Sequence, residues 1–175
     1  MEEVIALIDR VIEEHQTIFQ DFQTMDQVAN DAEAVVLLDK AKDEFVPGRF
    51  ESKQGLQELG RLLEKTEQGI QAHFKREEVA LLHAFEKHGD RKLASALHSL
   101  LVEHKDLTER LAHSKQHVAK LTSGDLSRGL WEAAGYDMRA YLSHTRKLFE
   151  THAERERELL LTLRDELTGI RETNN

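Results

Sequence analysis

The chain has 175 residues, a formal net charge of −9, one proline, nine glycines and no cysteine. That length suits one domain with a real core, and the acidic balance argues against nucleic acid or an anionic membrane as partner. Without cysteine there is no disulfide, zinc–thiolate site or iron–sulfur cluster, so any metal must be held by nitrogen and oxygen. The opening Met1-Glu2-Glu3-Val4 stretch lacks the basic region of a signal peptide, and no apolar run approaches membrane length. A cytoplasmic protein is the expectation, with residues 1–170 as one domain and 171–175 as a polar tail.

In chain order, the first apolar seam runs Val4, Ile8, Val11, His15, Ile18, Phe22, Met25, Ala29, Ala32, Val36. Steps alternating between three and four residues predict an amphipathic helix from about residue 3 into the thirties or forties, loosened at Asn30-Asp31. Residues 45–52, F-V-P-G-R-F-E-S, are the clearest break, with Ser52 or a neighbour as the next cap. The second seam reads Leu56, Leu59, Leu63, Thr66, Ile70, His73, Glu77, Ala80, Ala84, ending at His88-Gly89-Asp90 with glycine as C-cap and aspartate as the next N-cap. The third is Leu93, Leu97, Leu100, His104, Leu107, Leu111, Ser114, Val118, Leu121. After a connection at 122–129, the fourth is Leu130, Ala134, Met138, Tyr141, Thr145, Leu148, His152, Glu156, Leu159, Leu163, Leu167. Nothing alternates with period two, so the prediction is all-α: an up-down-up-down antiparallel four-helix bundle.

Each seam carries histidine where leucine is expected. His73 precedes Glu77 by four residues, and His152 precedes Glu156 by four. On a helix that spacing is about 40° of rotation and about 6 Å of rise, so imidazole and carboxylate share one face. One H-x-x-x-E is weak; two, each following a helix with a glutamate–histidine pair (Glu14-His15, Glu103-His104), form a weak two-fold repeat. In an up-down bundle all six residues reach one layer, roughly 15–20 Å from the end that holds the N-terminus and Gly89. A lone seam histidine is ordinarily a hydrogen-bonded core residue. Six ligand-type residues at one height would be costly to bury without metal, and four imidazoles with two carboxylates suit a pair of divalent cations.

The other histidines fall off these seams. His113 and His117 form H-x-x-x-H on the outer face of the third helix, His83 and His98 lie about 120° off their seams, and His144 is about 12 Å along the axis from His152. His88 suits a helix C-terminus. Glu78, Glu154 and Glu158 read as solvated faces, and Trp131, Tyr136 and Tyr141 as packing residues, Tyr141 within reach of the layer.

Together these motifs resemble the hemerythrin-like family, the HHE cation-binding domain, over about residues 4–165. The resemblance implies a carboxylate-bridged non-haem di-iron centre that reacts with O2 or related small molecules. His15 and His73 would hold one iron, His104 and His152 the other, with Glu77 and Glu156 bridging. The oxygen-carrying members have a second histidine four residues after the one on the third helix, where this chain has Thr108. They use aspartate, five residues after the last histidine, where Glu156 follows His152 by four. The departure removes one protein ligand and implies open or water-filled positions at the irons rather than reversible O2 carriage.

The leading expectation is a di-iron protein that binds or senses O2 or NO, or handles intracellular iron. A di-iron oxidase or peroxidase acting on peroxide is the enzymatic alternative, ranked lower because no dedicated general base or substrate-binding segment is visible. A helical interaction module with zinc in the histidine layer is the structural one, since nitrogen and oxygen donors also accept zinc.

Overall fold

The computed structural model describes residues 1–39 and 50–169, the side chains of 31–39 and 50–53 excepted. Among the described residues every regular element is helical: α1 (Glu2–Asp39), α2 (Phe50–Arg76), a π-helical turn (Glu77–Leu81), α3 (Leu82–His88), α4 (Arg91–Leu101), α5 (Glu103–Thr122) and α6 (Arg128–Thr168). They form four rods: α1; α2 continued through the π turn into α3; α4 with α5; and α6. The rods pack as a helical bundle, α1 against α2, α2 against α5, α5 against α6, and α6 back against α1.

Helix ends follow local chemistry. Glu2 and Glu3 stand in the first turn of α1, where carboxylates complement the helix dipole. The backbone N–H of Leu93 donates to Asp90 Oδ1 (2.7 Å), so Asp90 caps α4 as its sequence position predicts. Gly89 departs from expectation: its backbone is extended (φ −83°) rather than left-handed. Glycine fits there because a Cβ would lie 2.8 Å from the Phe85 carbonyl oxygen. Gly169, with φ +72°, takes the left-handed cap that ends α6.

Several sequence expectations are corrected. α1 runs unbroken through Asn30-Asp31. Ser52 lies inside α2, which already begins at Phe50; residues 45–49 of the expected break, and the tail 171–175, lie outside the described residues. The third helix is interrupted at Val102, although that residue keeps helical dihedrals and the rod continues. In the fourth seam Leu142 and Phe149 are buried, while Tyr141 and Leu148 are half-buried and Leu130 is exposed. From Met138 the buried positions step four then three where the seam stepped three then four, because the buried face is wider than one residue per turn. Tyr136 is exposed; Trp131 packs against the core and donates from Nε1 to the Leu121 carbonyl (3.0 Å).

The buried apolar residues fall into two clusters. The larger contains Ile18, Phe22, Leu63, Phe74, Leu111, Leu142 and Phe149; the smaller contains Ile8, Val11, Leu81, Phe85, Leu97, Leu160 and Leu163. On each rod the predicted ligand residues fall where the two clusters meet. No described helix is long and apolar enough to cross a membrane.

Candidate metal centre

His15, His73, Glu77, His104, His152 and Glu156 are all buried, none more than 3% exposed. They assemble into two groups that share one member. His15, His73, Glu77 and Glu156 offer ligand atoms all within 4.8 Å of one another, and so do Glu77, His104 and His152. The structure thus brings together every residue singled out from the seams, with Glu77 common to both groups and Glu156 in the first.

The backbone places Glu77 at an irregular point. It opens the π turn, in which the Leu82 N–H reaches back to the Glu77 carbonyl. π turns occur often at functional sites. The seam in the sequence steps from Glu77 to Ala80, but here Ala80 is exposed and Leu81 is buried. The Val102 interruption immediately precedes Glu103-His104, so two of the four rods lose regular α-helix beside their ligands.

Three of the imidazoles are fixed from behind. His73 Nδ1 pairs with Glu14 Oε2 at 3.0 Å, His104 Nδ1 with Glu78 Oε1 at 2.9 Å, and His152 Nδ1 with Glu103 Oε2 at 3.1 Å. An ionised carboxylate only accepts, so each Nδ1 carries the proton and donates. The Nε2 lone pair is then left facing the layer, which is the usual way a carboxylate orients a metal-binding histidine. Arginines hold two of these carboxylates: Arg76 reaches Glu14 at 2.6 Å and Arg155 reaches Glu103 at 2.9 Å.

At the centre, His73 Nε2 lies 2.7 Å and His15 Nε2 3.7 Å from Glu77 Oε1; His104 Nε2 lies 3.2 Å from Glu77 Oε2, and His15 Nε2 3.1 Å from Glu156 Oε2. These approaches are off the direction of a hydrogen bond. All four Nε2 atoms and all four carboxylate oxygens of Glu77 and Glu156 lack a hydrogen-bond partner. Two other buried polar side chains are satisfied locally: Ser114 donates to the Arg110 carbonyl and Thr145 to the Tyr141 carbonyl, each at 2.9 Å. Lone pairs of imidazole and carboxylate converging in a buried layer repel unless a proton or a metal cation lies between them. The donor set therefore fits a metal ion.

Titration follows the same geometry. Burial opposes the charge on Glu77, but the imidazoles of His104, His15 and His73 together hold its carboxyl well below the usual carboxylate range. Burial, with the Glu77 charge, pushes Glu156 up against the pull of His15. Burial disfavours a charged His15, yet Glu156 and Glu77 raise it to about 9. Burial and the neighbouring His104 lower His152 to about 4.

Two phenylalanines wall the layer on the side of the larger cluster. Phe74 stacks on His104 (ring centroids 3.7 Å apart, 5° between planes), and Phe149 meets His15 edge-on at 6.0 Å. Neither phenylalanine stood in the seams read from sequence. The histidines set aside remain apart: His83, His98, His113 and His144 are exposed, and His117 packs beside Tyr141 at 5.3 Å. Tyr141 meets His113, His117 and Arg110 on the surface rather than the layer. Glu78 is the clearest correction among the acidic residues: although its side chain is half exposed, its carboxylate fixes His104. Comparison with protein-family models, with curated proteins and with solved structures finds no match to this chain.

Proposed function

We propose that this chain is a hemerythrin-like, non-haem di-iron protein that binds or senses O2 or NO, or handles iron. The observation that carries the reading is the pair of overlapping buried groups, joined at Glu77, whose converging ligand atoms have no other partner. In this reading the bundle is up-down-up-down and antiparallel. Paired residues support it: Asp9 with Arg164 and Asp26 with Arg146 join α1 to α6 in opposite order, and Asp21 with Lys65 and Glu14 with Arg76 do so for α1 and α2.

His15 and His73 would hold one iron and His104 and His152 the other. Glu77 would bridge, and Glu156 would complete the first site and bridge if its carboxyl turns toward the second. A bound pair of irons supplies electrons and open coordination positions for a small ligand such as O2, NO or peroxide. The chain's own residues fix the imidazole tautomers through Glu14, Glu78 and Glu103, and Phe74 and Phe149 shield the layer from water on one side. Thr108, whose hydroxyl donates to the His104 carbonyl (2.8 Å), contributes no ligand.

Metal analysis of protein produced with iron, with visible spectra in the reduced, aerobic and NO-exposed states, tests the reading. Two irons per chain and an oxo-bridge band after aerobic reconstitution are expected. One zinc in the four-ligand group, with no spectral response to O2 or NO, would instead favour a structural zinc site. Turnover of peroxide would favour the enzymatic alternative.

A further inference from the structure

Around the layer, three of the four seams between rods are closed in the same way. Glu14 on α1 bonds His73 on α2, Glu78 after α2 bonds His104 on α5, and Glu103 on α5 bonds His152 on α6. Each closure spans two neighbouring rods and immobilises an imidazole. The fourth seam, between α6 and α1, lacks this closure: among the described residues no carboxylate accepts from His15 Nδ1. A groove of about 480 Å³ lies there instead, with Gln16, Gln23, Glu150, Glu154 and Arg157 around His15.

The internal repeat accounts for the difference. It aligns Glu14-His15 with Glu103-His104, and Glu77-Glu78 with Glu156-Arg157. The sequence position that holds Glu78 in one half holds Arg157 in the other, and Arg157 lines the groove with His15. A guanidinium has donors only and cannot accept the imidazole N–H. The rod also differs, because α6 runs as regular α-helix through Glu156 where the other half has the π turn.

Along the bundle axis the two apolar clusters bar a hydrated ion in both directions. The lateral groove mixes polar and charged side chains with Ile12, Phe19 and Ala153, and the ligand at its floor is 97% buried with an unpartnered Nε2.

We propose that the α1/α6 groove is the port through which divalent metal ions enter and leave the layer, with His15 as the ligand that yields. The proposal rests on the metal-centre reading above. His15 turns without breaking a carboxylate bond, as His73, His104 and His152 cannot. Exchange at the first group therefore precedes exchange at the second.

The test is the rate at which a chelator removes cobalt(II) from the loaded protein, followed by the visible cobalt bands, alongside the cobalt content at equilibrium. Arg157→Glu, which offers His15 the missing acceptor at an exposed position, is expected to slow release about tenfold, the usual scale for a carboxylate behind a metal-bound histidine. Arg157→Leu removes the cation alone and should leave the rate near wild type. Gln23→Glu adds a charge to the groove away from that position and should not reproduce the slowing. Glu103→Ala opens a second seam and should speed release. Wild-type release from Arg157→Glu, or equal slowing by Gln23→Glu, would overturn the port. Failure of the wild-type protein to take up cobalt would overturn the metal centre itself, and the port with it.

Discussion

Of the two ligand groups that meet at Glu77, the one between α1, α2, the π turn and α6 offers four donors and the one between the π turn, α5 and α6 offers three. The first contains both carboxylates and a histidine raised to about 9; the second contains a histidine lowered to about 4. Near-identical motifs have thus become unlike sites. Negative charge gathers around His15 and keeps its proton, whereas His152 sits beside another imidazole in a buried setting. The second group also has both its histidines pinned by outer carboxylates, and the first has only one. Ligand type alone does not set a site's behaviour; the distribution of charge and of outer hydrogen bonds does.

The strongest way to break the comparison is to remove what the groups share. Glu77→Ala is expected to abolish both sites, and metal analysis after iron loading should find close to none. A variant that kept one full equivalent would show that Glu77 belongs to one group only. Glu156→Ala should act more narrowly, depleting the first group and leaving the second able to take an ion. Comparing iron content with that of Glu77→Ala checks this, and equal loss in the two variants would make Glu156 a second bridge.

Proton release sharpens the difference further. Metal binds neutral imidazole, and His15 raised to about 9 carries a proton at neutral pH, so filling the first group must expel it. Affinity there should fall as pH drops below about 9, by about tenfold per unit for one proton. In the second group His152, lowered to about 4, imposes no such requirement above that pH, although Glu77 and Glu78 raise His104 against its burial. Calorimetry of metal uptake in buffers of different ionisation enthalpy would count the protons. No proton release on filling the first group at neutral pH would contradict the environment of His15. The smallest effect is expected outside the layer: His113→Ala with His117→Ala should leave metal content unchanged, and a loss matching that of Glu77→Ala would mean the helix phases are wrong.

The six inner residues were legible because each interrupts a leucine seam, and the seams fix their helical phase. Their common height followed from counting residues to the turn at Gly89. The outer carboxylates were not legible in the same way. Glu14 and Glu103 each sit one position before a seam histidine, and Glu78 one position after a seam glutamate, phases that ordinarily face solvent. Their side chains stay partly exposed while the carboxylate tip reaches across to the neighbouring rod. Reading them required knowing which rods are neighbours, which periodicity along one helix does not carry. The π turn was hidden because a four-residue step from Glu77 to Leu81 is as compatible with α-helix as the three-residue step to Ala80.

That turn also bears on which changes in chain length the protein tolerates. In a regular bundle helix, losing one residue rotates everything beyond it by about 100° and turns buried positions outward. Between Glu77 and Leu81 the chain winds with one residue more than an α-helical turn uses. Deleting exposed Ala80 would convert the turn to α-helix and keep the flanks in phase, so Phe85 and Ile70 should stay buried. The register around Glu77 and Glu78 would change. Circular dichroism should then report a folded bundle while metal analysis reports a damaged centre; collapse of helicity would show that the turn is needed for the fold itself. A frame of packed leucines would thus accept an edit in length that its ligand layer does not.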